Sequence, residues 1–164
     1  MRTRIITVTA TLAACLVAVT GCSSKAAQTQ PSSGDKVIDS AKYIALYQKT
    51  IAHFPEPMPN GITFPSDPPA MQGQIGIGNA AGMAYFYWNC SWEDVYLNGT
   101  DQTLKAKALT QMKKFPNTSW GSKYYDDSSG IWVDVVKKAS LGDLSELQQF
   151  YDSDCSYYRQ VNHK

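Results

Sequence analysis

The chain has 164 residues, 43% hydrophobic and 18% charged, and carries a formal charge of +1. At roughly 100–200 residues per domain, that length accommodates one domain. The ordinary composition excludes a collagen-like repeat, a coiled coil and a wholly disordered chain, and the small charge argues against a nucleic-acid partner.

Arg2 and Arg4 precede an apolar run from Ile5 to Val19. The run is shorter than the roughly 20 residues that a membrane-spanning helix needs, but it suits the h-region of a signal peptide. It leads into Val19-Thr20-Gly21-Cys22. This stretch resembles the lipobox of bacterial lipoproteins: an aliphatic residue, a small one, Gly or Ala, then Cys. The resemblance covers only residues 1–22 and implies a diacylglyceryl thioether on Cys22, cleavage after Gly21 and acylation (palmitate, for example) of the new amine. Anchoring of that kind is stable, because each buried methylene contributes about 0.8 kcal/mol and two or three chains act together. It places the protein on the extracytoplasmic face of the cell membrane.

Without residues 1–21 the chain keeps 13 basic residues against 14 acidic ones, and this near-neutral body gives no reason to expect attraction to anionic lipid or DNA. The resemblance implies that Cys15 would leave with the signal and Cys22 would carry the lipid, so that of the four cysteines Cys90 and Cys155 would remain. In an oxidising compartment such a pair reads as one disulfide. Free thiols or a metal site are the alternatives, although with two His zinc would need unusual ligands; the sequence points to no metal and no cofactor.

Residues 22–36 are polar and small and read as a disordered tether, spanning about 20 Å r.m.s.. A single helical domain is expected over 37–164. Ile44, Tyr47, Ile51 and Phe54 recur at helical spacing and predict a first helix over 37–54, stopped by Pro55. Residues 55–72 hold six of the eight prolines and predict a stiff loop covering the helices. A helix from an Asn79 N-cap to Leu97 is apolar on nearly every side, as expected of an element buried mid-domain. A third helix presents Leu104, Ala108, Met112 and Phe115, and a fourth uses Trp132, Val135, Val136 and Ala139. A fifth opens at Asp143 and Glu146 as a capping box. The expected fold is a mainly α bundle of about five helices, with the Cys90–Cys155 bridge holding the last helix on the central one.

Chemistry-bearing motifs are sparse. Gly76-Ile77-Gly78-Asn79-Ala80-Ala81 matches GxGxxA, but that fingerprint works only inside a βαβ unit. A Pro-rich loop precedes it, so the glycines read as a tight turn into the helix, and Gly82 as a close-packing position. Asp126-Asp127-Ser128-Ser129-Gly130 fails the calcium-loop spacing and reads as a turn. His53 suits a helix C-terminus, and no GxSxG or HExxH occurs. Glu93 and Asp94 interrupt the aromatic helix; burial would raise the pKa of Glu93 and suit it to acid–base work, while a wet stripe is the plainer account. Trp120, Tyr124 and Tyr125 fall in a loop and Tyr157 and Tyr158 in the tail; large rigid rings so placed serve as contact surfaces or, equally, as filler of the core.

These features lead to the expectation of a lipid-anchored, non-catalytic binding or accessory module of the cell envelope. Its partner would be an envelope protein or glycan, met through an aromatic surface of the 116–130 loop (Trp120, Tyr124 and Tyr125), the Pro-rich loop and the C-terminal tail. The alternatives are an envelope hydrolase using Glu93 and a small-ligand carrier.

Overall fold

A computed structural model describes residues 36–164; the signal segment 1–21, Cys22 and the tether up to residue 35 lie outside the described residues. Helix α1 (Ser40–Ala52) starts where the Asp39 carboxylate accepts the Lys42 backbone N–H at 2.7 Å. Its buried residues are Tyr43 and Tyr47, while Ile44 is exposed. The inner face is therefore turned by about one residue from the aliphatic stripe. The hydroxyls decide it: Tyr43 donates to the Pro69 carbonyl and Tyr47 to the Pro65 carbonyl.

Before α1, strand β1 (Val37–Ile38) pairs antiparallel with β2 (Ile75–Gly76), Val37 opposite Gly76 and Ile38 opposite Ile75. Strand β2 runs directly into α2 (Ile77–Asn98). The helix begins before the expected Asn79 cap, at Gly76, with no side-chain cap. At 22 residues it spans about 33 Å and forms the axis of the domain, with α1, α3, α6 and α7 packed around it. The expected burial is borne out: 13 of its residues, including Trp88 and Trp92, are buried.

The remaining elements are α3 (Gln102–Lys114), a single 3-10 turn (Phe115–Asn117), α4 (Gly121–Tyr124), α5 (Ile131–Ser140), α6 (Ser145–Asp154) and α7 (Ser156–Val161). Asp101 caps α3 by accepting from the Thr103 and Leu104 N–H groups. The turn before α5 is built by Asp126 and Asp127, which accept from Ser128 and Trp132, with Gly130 at φ 70°. The capping box at α6 does not form. Asp143 accepts from Ser145, but Glu146 reaches away to pair with Lys138. The mainly α expectation holds, with two short helices, α4 and α7, added to the five.

The Pro-rich loop covers α1 and α2 as expected, and hydrogen bonds hold it there. Proline supplies a carbonyl but no N–H, so the loop is rich in acceptors. Trp88 and Trp92 both donate to the Pro57 carbonyl, at 2.8 and 3.1 Å, and Tyr87 donates to Thr63. Phe54 and Phe64 meet edge to face at 4.8 Å beneath it.

The largest core cluster lies between α2, α3, α5 and α6, around Trp88, Trp92, Met112, Trp132 and Leu147. Gly82 is a close-packing position as expected, and Gly78, expected in a turn, makes room in the same way inside the helix. A Cβ on Gly78 would lie 2.8 Å from the Tyr124 ring, and one on Gly82 would lie 2.8 Å from the Trp120 ring. Gly78 and Gly82 are therefore seats for aromatic rings.

Gly82→Ala tests this packing. On helix propensity alone the change would stabilise α2 by about 1 kcal/mol. Against the buried Trp120 ring it should instead destabilise by about 1–3 kcal/mol, the usual cost of overpacking. Urea midpoints of the two proteins give the sign.

Candidate functional site

Glu93 and Asp94 are neighbours on α2, both buried, at 2% and 6% exposure, yet their surroundings differ. Asp94 has four partners. It accepts from Asn98 at 2.8 Å, Tyr151 at 3.1 Å and Tyr158 at 3.0 Å, and the Lys164 ammonium lies 3.3 Å away. The carboxylate thus ties α2 to α6, α7 and the C-terminus. Burial first, and then the Asp94 charge, push the hydroxyls of Tyr151 and Tyr158 well above the usual phenol range, so both stay protonated as donors.

Glu93 has one partner, the Asn89 amide one turn back, which donates to Oε1 at 2.7 Å. Its other oxygen, Oε2, and the Asn89 carbonyl oxygen are both buried without a partner. Desolvation raises the Glu93 pKa well above its ordinary 4.5, and the nearby Asp154 charge adds to the effect. A protonated Glu93 offers an O–H where an ionised one offers only an acceptor. The neutral acid is therefore the form that suits this place.

The Cys90–Cys155 disulfide lies alongside. Its Cα atoms are 5.5 Å apart, and one Glu93 oxygen lies within 4.8 Å of both sulfurs. The expected bridge is present, and it joins the middle of α2 to the residue between α6 and α7. With the sulfurs bonded to each other, the Cys90, Glu93 and Cys155 cluster offers no thiolate to a metal.

The aromatic loop requires a correction. Trp120, expected on an exposed binding surface, is 4% exposed, and its indole N–H donates to the Gly78 carbonyl at 3.0 Å. Tyr124 stacks on Trp120, and Tyr125 packs edge-on against Phe115 and Phe86. Both are half-buried, and burial pushes the Tyr125 hydroxyl up to about 12. These rings complete the core because the glycines of α2 leave space for them. In the tail, Tyr158 is likewise buried on Asp94.

Two surface hollows lie between α3 and α5. One, about 280 Å³, is lined by Lys113, Trp132, Val133, Lys137 and Ser140. The other, about 360 Å³, shares Ser140 and runs on past Tyr96, Lys105, Leu109 and Leu144. Glu93 lines neither of them. Sequence reasoning missed this face; its signal was four lysines in α3 with no acid among them.

Two measurements follow. Removing the bridge in a Cys90→Ala, Cys155→Ala variant should cost about 4 kcal/mol of unfolding free energy, from the separation of 65 residues. Secondly, Glu93 binds its proton more tightly folded than unfolded. The stability this provides is complete below the ordinary carboxyl range and is lost as pH rises through the raised folded pKa. Glu93→Gln can accept from and donate to Asn89 at any pH. Its Tm should exceed that of the unchanged chain at pH 8, with the gap closing towards pH 4, in a thermal melt series.

Compared with known proteins, the chain matches no family model, no curated protein and no solved structure.

Proposed function

We propose that the protein is a lipid-anchored module on the extracytoplasmic face of a bacterial cell membrane, which acts by binding an envelope protein or glycan and not by catalysis. The observation that carries the anchor and its location is the succession of Arg2 and Arg4, the apolar run and Val19-Thr20-Gly21-Cys22. The Cys90–Cys155 bridge supports it, since disulfides persist in oxidising compartments. No helix among the described residues is long and apolar enough to cross a membrane.

The hydrolase alternative rests on Glu93 standing in a cleft. At 2% exposure, that carboxyl is out of reach of a glycan or peptide chain, and the reading loses its acid. No specific feature favours a small-ligand carrier: the larger hollow, about 360 Å³, is at the lower end of the range for ligand clefts.

Metabolic labelling in a bacterial host with an alkyne analogue of palmitate tests the anchor. The full-length chain should take up label and fractionate with membranes. Cys22→Ala should abolish the label and release no mature membrane-bound form. Equal labelling of both chains would overturn the proposal.

A further inference from the structure

The face between α3 and α5 has a chemistry that the near-neutral net charge conceals. The two helices carry six lysines, Lys105, Lys107, Lys113, Lys114, Lys137 and Lys138, against one acid, Asp134. Lys114 is paired with Glu56 and Lys138 with Glu146, while Lys107 sits over the Trp92 ring and Lys105 over the Tyr96 ring. Lys113 and Lys137 flank one hollow and Lys105 borders the next, and no acid lines either. Among the described residues, none of these three has a carboxylate within ion-pair distance.

Apolar side chains stand among these cations. Val133 and Lys137 share one face of α5, and Leu141 follows at the same four-residue step. Val133 is 56% exposed and Leu141, at the turn closing α5, is 80% exposed, the most of any large apolar residue described. Leu144 continues the line at the edge of the second hollow. Asp143 is the acid in the turn between Leu141 and Leu144. Exposed aliphatic side chains interspersed with long cationic ones have the composition of a surface that lies in a lipid headgroup layer. The aliphatic groups enter the acyl boundary, and the ammonium groups stay at the level of the phosphates.

We infer that the α3–α5 face, with Lys113 and Val133 towards one end, Lys137 between, and Lys105 and Leu141 towards the other, docks on an anionic phospholipid bilayer. A protein partner fits less well, since such interfaces concentrate their energy in Trp, Tyr and Arg, and of these only the half-buried Tyr96 and the buried Trp132 border this face. Each lysine near an anionic leaflet adds attraction that falls off within a Debye length. The inference goes beyond the proposed anchor: lipid at Cys22 holds the domain near a bilayer, and this face sets which way it lies.

The test uses the chain from residue 22 with Cys22→Ser, which keeps every described residue and lacks the lipid. It is sedimented with vesicles of phosphatidylcholine alone or mixed equally with phosphatidylglycerol, at low and high salt. Binding is expected only on the anionic vesicles at low salt. Leu141→Asp should lower the partition about tenfold. Lys113→Glu with Lys137→Glu should do the same, whereas Lys42→Glu with Lys49→Glu on α1, an equal charge change, should leave it intact. Unchanged thermal melts would show that each variant keeps its fold. No binding to anionic vesicles, no effect of Leu141→Asp, or an equal loss in the α1 control would overturn the inference. Because no sample carries lipid, none of these outcomes bears on Cys22, which the labelling experiment tests separately.

Discussion

Ring donors meeting backbone acceptors organise this domain. All four tryptophan N–H groups donate to main-chain carbonyls: Trp88 and Trp92 to Pro57, Trp120 to Gly78 and Trp132 to Met112. Tyr43, Tyr47, Tyr87 and Tyr96 do likewise, to Pro69, Pro65, Thr63 and Ala139. A loop holding six prolines in 18 residues cannot enter a ladder, and its carbonyls would be costly to bury unpaired. Large rings solve both problems together, since each buries much apolar area and brings a donor to its rim. The aromatic abundance and the proline abundance are therefore two halves of one design.

That coupling explains what could be read from the sequence and what could not. The central helix was legible because a segment apolar on every side has few other places to go, and the disulfide because two cysteines remained. The inner face of α1 was not, since hydropathy favours Ile44 while the hydrogen bonds favour Tyr43. Trp120, Tyr124 and Tyr125 misled for a related reason. A polar loop suggests exposure, but Gly78 and Gly82 lie some 40 residues away in sequence and hold the space these rings fill. The glycine pair was seen; that it served aromatic rings from another segment was not, because periodicity does not report long-range contacts.

Glu93 and Asp94 make the same point for charge. Adjacent in sequence and similarly buried, they differ in the number of donors that neighbouring helices supply. Asp94 gathers two phenols, an amide and an ammonium, whereas Glu93 receives one amide and lies near another acid, Asp154. A buried carboxylate with donors around it links elements, and one without them holds its proton. Only the tertiary arrangement of α6 and α7 separates the two cases. A reactive-looking acid is thereby an internal group of the helix core.

Net charge hides the surface in a parallel way. A balance near zero describes the chain, but electrostatic attraction acts over about 8–10 Å at physiological salt, so a membrane or partner meets one face at a time. Acids lie chiefly outside α3 and α5, at helix caps, in turns and along α6, where Asp39, Asp101, Asp127 and Asp143 satisfy backbone N–H groups. Using carboxylates as caps leaves the lysines of α3 and α5 with few local partners. The same local rule that starts the helices thus produces a cationic face on a neutral molecule, and the exposed Val133 and Leu141 add apolar groups along it.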